Sequence, residues 1–196
     1  MSSLNSRPIW RWSKWAWGRD RPVHDIRNAT ENSLRALHRE LRKHLSHFEG
    51  NEDDFYRLRR SGMSAASLHS HLAEVSETIL LRLRRSSTQP RSPSPIRRSS
   101  RQSAALRWAL LTWQVRAGPV ELHPESEVIV SKQGPDELGQ RHTRWVGDFL
   151  SLLEGLPEAG FRRVTALHPQ FGEMTVAEWA RYLRVYARAK ELELEA

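Results

Sequence analysis

The sequence predicts an all-α chain built on four main helices. Three observations carry this expectation. Apolar residues recur at three- and four-residue spacing in four long segments, helix-start signals stand before two of these segments, and the intervening stretches are rich in Ser, Pro and Gly. At 196 residues the chain is long enough for one domain with a sizeable core and too short for two comfortable ones. That domain is expected over residues 22–196, behind an N-terminal tail of residues 1–21.

The tail interleaves Trp10, Trp12, Trp15 and Trp17 with Arg7, Arg11, Lys14, Arg19 and Arg21. Such a mixture suits an anionic membrane interface or base stacking on nucleic acid. It equally suits a tail that folds back on the domain or frays. The first helix follows, near 24–48, on Ile26, Leu34, Leu37, Leu41, Leu45 and Phe48, with Gly50 as its stop. Its His38, His44 and His47 fall mostly off that stripe and read as surface residues. The second helix, near 64–85, opens on Ser64 as N-cap and buries Leu68, Leu72, Val75, Ile79 and Leu83. That register places His71 on or beside the core face and turns His69 away from it.

Residues 86–103 are Ser-, Pro- and Arg-rich with almost nothing to bury, and read as a disordered, solvated linker inside the domain. Its serines beside arginines are candidates for phosphorylation, and its arginines for a polyanion, although such stretches are more often inert. An extra short helix follows at 104–116, with Leu106, Trp108, Leu110, Leu111 and Trp113 packed on the outside. The third main helix, near 135–155, carries Leu138, His142, Trp145, Phe149 and Leu152 on one stripe, so His142 faces the interior. It is either a core histidine satisfied by a hydrogen bond or a ligand. The last helix, near 175–195, opens on the capping box Thr175–Glu178 and places Trp179, Leu183, Tyr186 and Lys190 on one face.

Composition narrows the chemistry. With no cysteine there is no disulfide scaffold, thiolate metal site or cysteine nucleophile, and a reducing compartment is expected. No run of 18 apolar residues exists, and the N-terminus lacks a signal-peptide pattern, so a cytoplasmic chain without a transmembrane segment is expected. The net charge of +8 and pI near 10.7 invite an anionic partner, nucleic acid or an anionic surface. Seven arginines, from Arg82 to Arg101, concentrate much of that excess in one stretch. Arginine also outnumbers lysine throughout, as a GC-rich coding sequence would produce, so charge alone points to no function. No phosphate-cradling glycine loop, Gly-x-Ser-x-Gly elbow or close carboxylate pair is present.

Two segments resemble a known family. Ser64-Ala-Ala-Ser-Leu-His-Ser-His71-Leu-Ala-Glu and His168-Pro-Gln-Phe-Gly-Glu-Met-Thr175-Val-Ala-Glu-Trp179 are similar to the DinB/YfiT-like proteins. The segment Ala-Leu-Arg-Trp-Ala-Leu-Leu-Thr-Trp-Gln-Val-Arg-Ala-Gly-Pro is also similar to one between their second and third main helices. The resemblance implies an up-down-down-up four-helix bundle. It also implies metal-dependent hydrolase or thiol S-transferase chemistry on a small-molecule or low-molecular-weight thiol substrate. In that family one His in the first segment and two His one turn apart on the last helix hold a divalent metal, zinc or nickel. Here the first position is His71, and Tyr186 and Lys190 stand at the other two.

A phenol ligates only as phenolate, and a lysine only after losing a proton from a group of reference pKa about 10.4. An intact zinc or nickel site therefore requires His142, His168 or Glu74 to join His71. Otherwise the metal site is degenerate, with activity lost or altered, and the Lys190 ammonium takes the volume and charge of the absent ion. His168 either faces the pocket beside Trp179 or caps its own turn. Outside this resemblance, two alternatives are a non-enzymatic binding module, using the Arg-rich linker and Trp/Arg tail, and a homodimer packed through bundle faces.

Overall fold

The computed structural model describes residues 23–89, 96–112 and 133–195. Of these, 75% are helical, and a small two-stranded sheet makes up the rest of the regular structure. The helices are α1 (Val23–Ser46), α2 (Glu52–Tyr56), α3 (Ala65–Thr88), α4 (Ser100–Thr112), α5 (Pro135–Gly155), α6 (Gly160–Arg163) and α7 (Val176–Glu195). The strands β1 (Thr165–His168) and β2 (Gly172–Thr175) pair antiparallel between α6 and α7, with Thr165 opposite Thr175 and His168 opposite Gly172.

The four long helices fall within three residues of their expected ends. Leu34, Leu37, Leu41 and Leu45 of α1 are all buried, and Gly50, at φ 77°, takes the left-handed conformation that turns the chain out of the helical path. Ser64 accepts a hydrogen bond from the Ser67 amide at 3.1 Å, as an N-cap does. At the start of α7 the Thr175 amide donates to Glu178 Oε2 (2.8 Å) and the Glu178 amide to Thr175 Oγ1 (3.3 Å), the reciprocal pair of a capping box.

Cross-helix pairs set the directions. Arg27 donates to the Leu156 carbonyl and His38 meets Thr143, so α1 and α5 run antiparallel. The Arg141–Glu77 and Arg84–Asp148 pairs run in the same order along both chains, so α3 and α5 are parallel. Helix α7 lies against α1, where Arg184 grips Glu40, and against α3, where Tyr186 meets His71. The core is the shared interior of these four helices, from Leu34 and Leu68 through Phe149 to Leu183.

The hairpin is a departure from the all-α expectation. Residues 169–171 are the turn of a hairpin, flanked by two strands of four residues each, too short for alternation to stand out in sequence. It closes one end of the helices: the Thr165 amide donates to Ser86 Oγ on α3, and the Trp179 indole to the Ala166 carbonyl.

The linker at 86–103 is a second correction. Residues up to Thr88 continue α3, and α4 begins at Ser100, four residues before the expected start. Its cap is Ser99, whose Oγ accepts from the Gln102 amide (3.2 Å) while the Ser99 amide donates to Gln102 Oε1 (2.9 Å). Just before it, the Arg98 fork donates to both Glu178 oxygens, at 2.9 and 2.7 Å, and to the Glu173 carbonyl. Residues 97–102 are thus attached by an ion pair and a cap and not by apolar burial. Residues 90–95 and 113–116, and the tail 1–21, lie outside the described residues.

The Arg98 side chain is 8% exposed and Glu178 16%, so removing one partner leaves a nearly buried charge alone. Arg98→Ala is expected to cost on the order of 3 kcal/mol in urea unfolding. Arg98→Lys should recover little of it, since a lysine cannot span both carboxylate oxygens.

Candidate functional site

His71, on α3, is half-buried, and its Nε2 shares a 2.8 Å hydrogen bond with the hydroxyl of Tyr186 on α7. One turn further along α7, the half-buried Lys190 places its Nζ 5.9 Å from the centre of the Tyr186 ring. Burial first, and the Lys190 charge second, hold His71 below its ordinary value. His71, Tyr186 and Lys190, which the family resemblance set at one site, form an imidazole–phenol pair with an ammonium over the phenol face.

The pair continues toward the hairpin. Tyr186 stacks on Tyr182 (5.7 Å between centres, 18° between planes), and Tyr182 meets Trp179 and His168 edge-on. Burial pushes the Tyr182 hydroxyl's pKa well above its ordinary range. His168 Nδ1 accepts from the amides of Gln170 and Phe171, so His168 caps the hairpin turn and carries its hydrogen on Nε2. That Nε2 is buried among Phe171, Trp179 and Tyr182 and, among the described residues, is the fully buried side-chain nitrogen or oxygen without a hydrogen-bond partner. Burial lowers the His168 pKa to about 4. Glu74 is half-buried on α3 and bears on Arg141 of α5.

His142 belongs to a different cluster, one that the sequence reading did not anticipate. His69, expected to point away from the core, is fully buried. Its Nε2 lies 2.8 Å from His44 Nδ1 on α1, and its Nδ1 lies 3.1 Å from His142 Nε2 on α5. His142 Nδ1 in turn accepts from the Trp145 indole at 3.0 Å. The signal that could have found His69 is a second, weaker stripe on α3, made of Ala65, His69, Ala73, Ser76 and Leu80. All five are buried at spacings of three and four, but two are alanines, one is a serine and one is the histidine itself.

Neither cluster fits the metal that the family resemblance implies. In the first, His71 Nε2 and the Tyr186 hydroxyl are bonded directly to each other, and the third position holds an ammonium. In the second, the two nitrogens of His69 face two different partners, so three imidazoles form a row and cannot converge on one ion at the roughly 2.0–2.1 Å that zinc requires. Among the described residues no group of three or more His, Asp or Glu side chains is arranged to hold a metal ion.

No family model, curated protein or solved structure matches the chain. Among the described residues no helix is long and apolar enough to cross a membrane.

Two measurements follow from the site. Tyr186→Phe deletes the hydroxyl from a half-buried hydrogen bond and is expected to lower stability by about 1 kcal/mol, read as a shift of the urea midpoint. Acid should act more strongly. Burial holds His168 to about 4, His142 to about 3 and His69 well below 6.5, so the folded chain refuses protons that the unfolded chain accepts. Stability is then full above about pH 6.5 and falls as the pH drops toward those folded values, by about 1.4 kcal/mol per pH unit per ring. His168→Phe, with one such ring fewer, should lose less than wild type between pH 7 and 5.

Proposed function

We propose that this chain is a DinB/YfiT-like, up-down-down-up four-helix bundle whose metal-dependent hydrolase or thiol-transferase chemistry has been replaced by a direct contact between helices. The observation that carries the reading is the 2.8 Å bond between His71 and Tyr186. His71 stands at the family's first ligand position and Tyr186 at the second, and each satisfies the other without an ion between them. Lys190, at the third position, supplies a positive charge from the protein itself. In this reading the pocket chemistry has become packing, and the chain keeps the bundle without the reaction.

The antiparallel pairing of α1 with α5 and the parallel pairing of α3 with α5 support the bundle part of the proposal. The alternative of a binding module acting through the Arg-rich stretch is less favoured by Arg98. Its guanidinium is held by Glu178 and Glu173 and is not presented to a polyanion.

Elemental mass spectrometry and zinc or nickel titration of the untagged protein test the proposal. Wild type is expected to hold well under one ion per chain, and Tyr186→His/Lys190→His to gain a site near one per chain. One tightly held ion in wild type, lost in His71→Ala, would overturn it.

A further inference from the structure

The outer side of α1 carries a row of cations. Arg35, Arg39 and Arg42 follow one another at spacings of four and three, and Lys43 stands four residues after Arg39, so the four share the side turned away from the buried Leu34, Leu37, Leu41 and Leu45. All four are exposed, and among the described residues none of them pairs with a carboxylate. The acidic residues of α1 do not compensate the row: Asp25 sits beside His24 at the start of the helix, Glu31 stands one turn before Arg35, and Glu40 is turned toward α7 and bound by Arg184.

Helix α5 makes a low edge beside the row. Gly139, Thr143 and Gly147 recur there every four residues. A side-chain carbon at Gly139 would lie 4.0 Å from Arg42 Cδ, and Thr143 shares a 3.0 Å hydrogen bond with His38, so the Arg42 stem is laid along α5 while the residue stays open to solvent. Burial first, and the Arg42 charge second, hold His38 below its ordinary value, so the field of the row is felt across the seam. The same antiparallel register brings Gly147 level with Arg35, and a side-chain carbon on this exposed glycine would meet nothing within 4 Å.

The surface offers charge without apolar anchors. The large apolar side chains that are exposed among the described residues, such as Trp108, Leu111 and Leu167, lie on other elements, and none belongs to α1 or α5. A membrane-seated helix needs an apolar face to insert, a protein interface needs buried anchors, and an unpaired strand needs aromatic rings on which its bases stack. A duplex needs only cations in reach of its phosphates. From Arg35 to Lys43 the row rises about 12 Å, roughly three to four nucleotides of one strand. Both flanks of α1 are covered, by α5 and by α7, so the helix cannot enter a major groove about 12 Å wide and reaches the strand from outside.

We propose that the outer face of α1 from Arg35 to Lys43, edged by Thr143 and Gly147 of α5, is a docking surface for the phosphate backbone of a DNA duplex, bound without regard to base sequence. This surface is separate from the Arg98 attachment and from the His71–Tyr186 pair.

The test is fluorescence anisotropy of the full chain with a labelled mixed-sequence DNA duplex of about 20 base pairs, between about 50 and about 200 mM salt. Relative to wild type, Arg35→Gln/Arg39→Gln/Arg42→Gln is expected to lower the slope of log affinity against log salt by about 2 to 3. The corresponding triple lysine variant should keep the slope, because it keeps the charges. Removing three exposed arginines elsewhere, Arg82→Gln/Arg85→Gln/Arg107→Gln, should leave the slope near that of wild type. Gly147→Glu sets a carboxylate at the edge of the row and should lower the slope by about 1, while its urea midpoint holds or rises, since glycine is a poor helix former. The proposal fails if wild type does not bind the duplex, if the triple glutamine variant keeps the wild-type slope, or if the lysine variant or the distant triple variant loses as much. It fails equally if phosphatidylserine vesicles, and not the duplex, register the loss of Arg35, Arg39 and Arg42.

Discussion

The carboxylate of Glu178 organises one end of the molecule. It accepts the amide of Thr175 and so starts α7, and it receives the Arg98 fork and so fixes the segment that enters α4. Arg98 also reaches the Glu173 carbonyl in β2, which ties the hairpin to the same point. A helix start, a strand edge and the approach to a short outer helix therefore share one acidic group. The low exposure of both side chains makes this pair costly to break from either side, whereas a solvent-exposed pair of the same geometry would contribute little.

The interior is polar in a particular way. Two rows of polar rings cross it, one joined by the His71–Tyr186 hydrogen bond and then by ring contacts through Tyr182 toward His168, the other joined by hydrogen bonds from His44 to Trp145. Each brings together residues from helices far apart in the chain, and in each the rings meet one another directly. Buried imidazoles are tolerable on these terms because they stay neutral: both nitrogens of His69 and of His142 find partners, whereas Nε2 of His168 does not. The same partners occupy the lone pairs that a metal would need.

Much of the fold was legible in the sequence, because the four long helices repeat large aliphatic residues at helical spacing and declare two of their starts through Ser64 and Thr175–Glu178. The hairpin was not, since strands of four residues leave too short a pattern. The docking of 96–103 was missed because charge and capping hold it, and hydropathy is blind to both. Periodicity put His71 on or beside the core face of α3 and Tyr186 and Lys190 on one face of α7, but only the family resemblance set the three against one another. His69 was misplaced for a physical reason: α3 is contacted by α2, α5, α7 and β1, so its buried arc is wider than one leucine stripe. The second stripe is written in alanine and serine. Tyr182 was overlooked although it lies four residues before Tyr186, at the spacing that stacks two side chains on one face.

Gly172 shows how tightly these parts are registered. It sits at φ 71°, and a side-chain carbon there would come within 3.0 Å of Gln102 Oε1 and 3.2 Å of the Arg97 carbonyl. The glycine that turns the hairpin is thus also the floor on which the cap of α4 rests. A side chain at 172 would sit in a strained left-handed backbone and press on the Gln102 side chain and the Arg97 carbonyl, so the shape of the hairpin and the entry to α4 are fitted to each other at a single missing carbon.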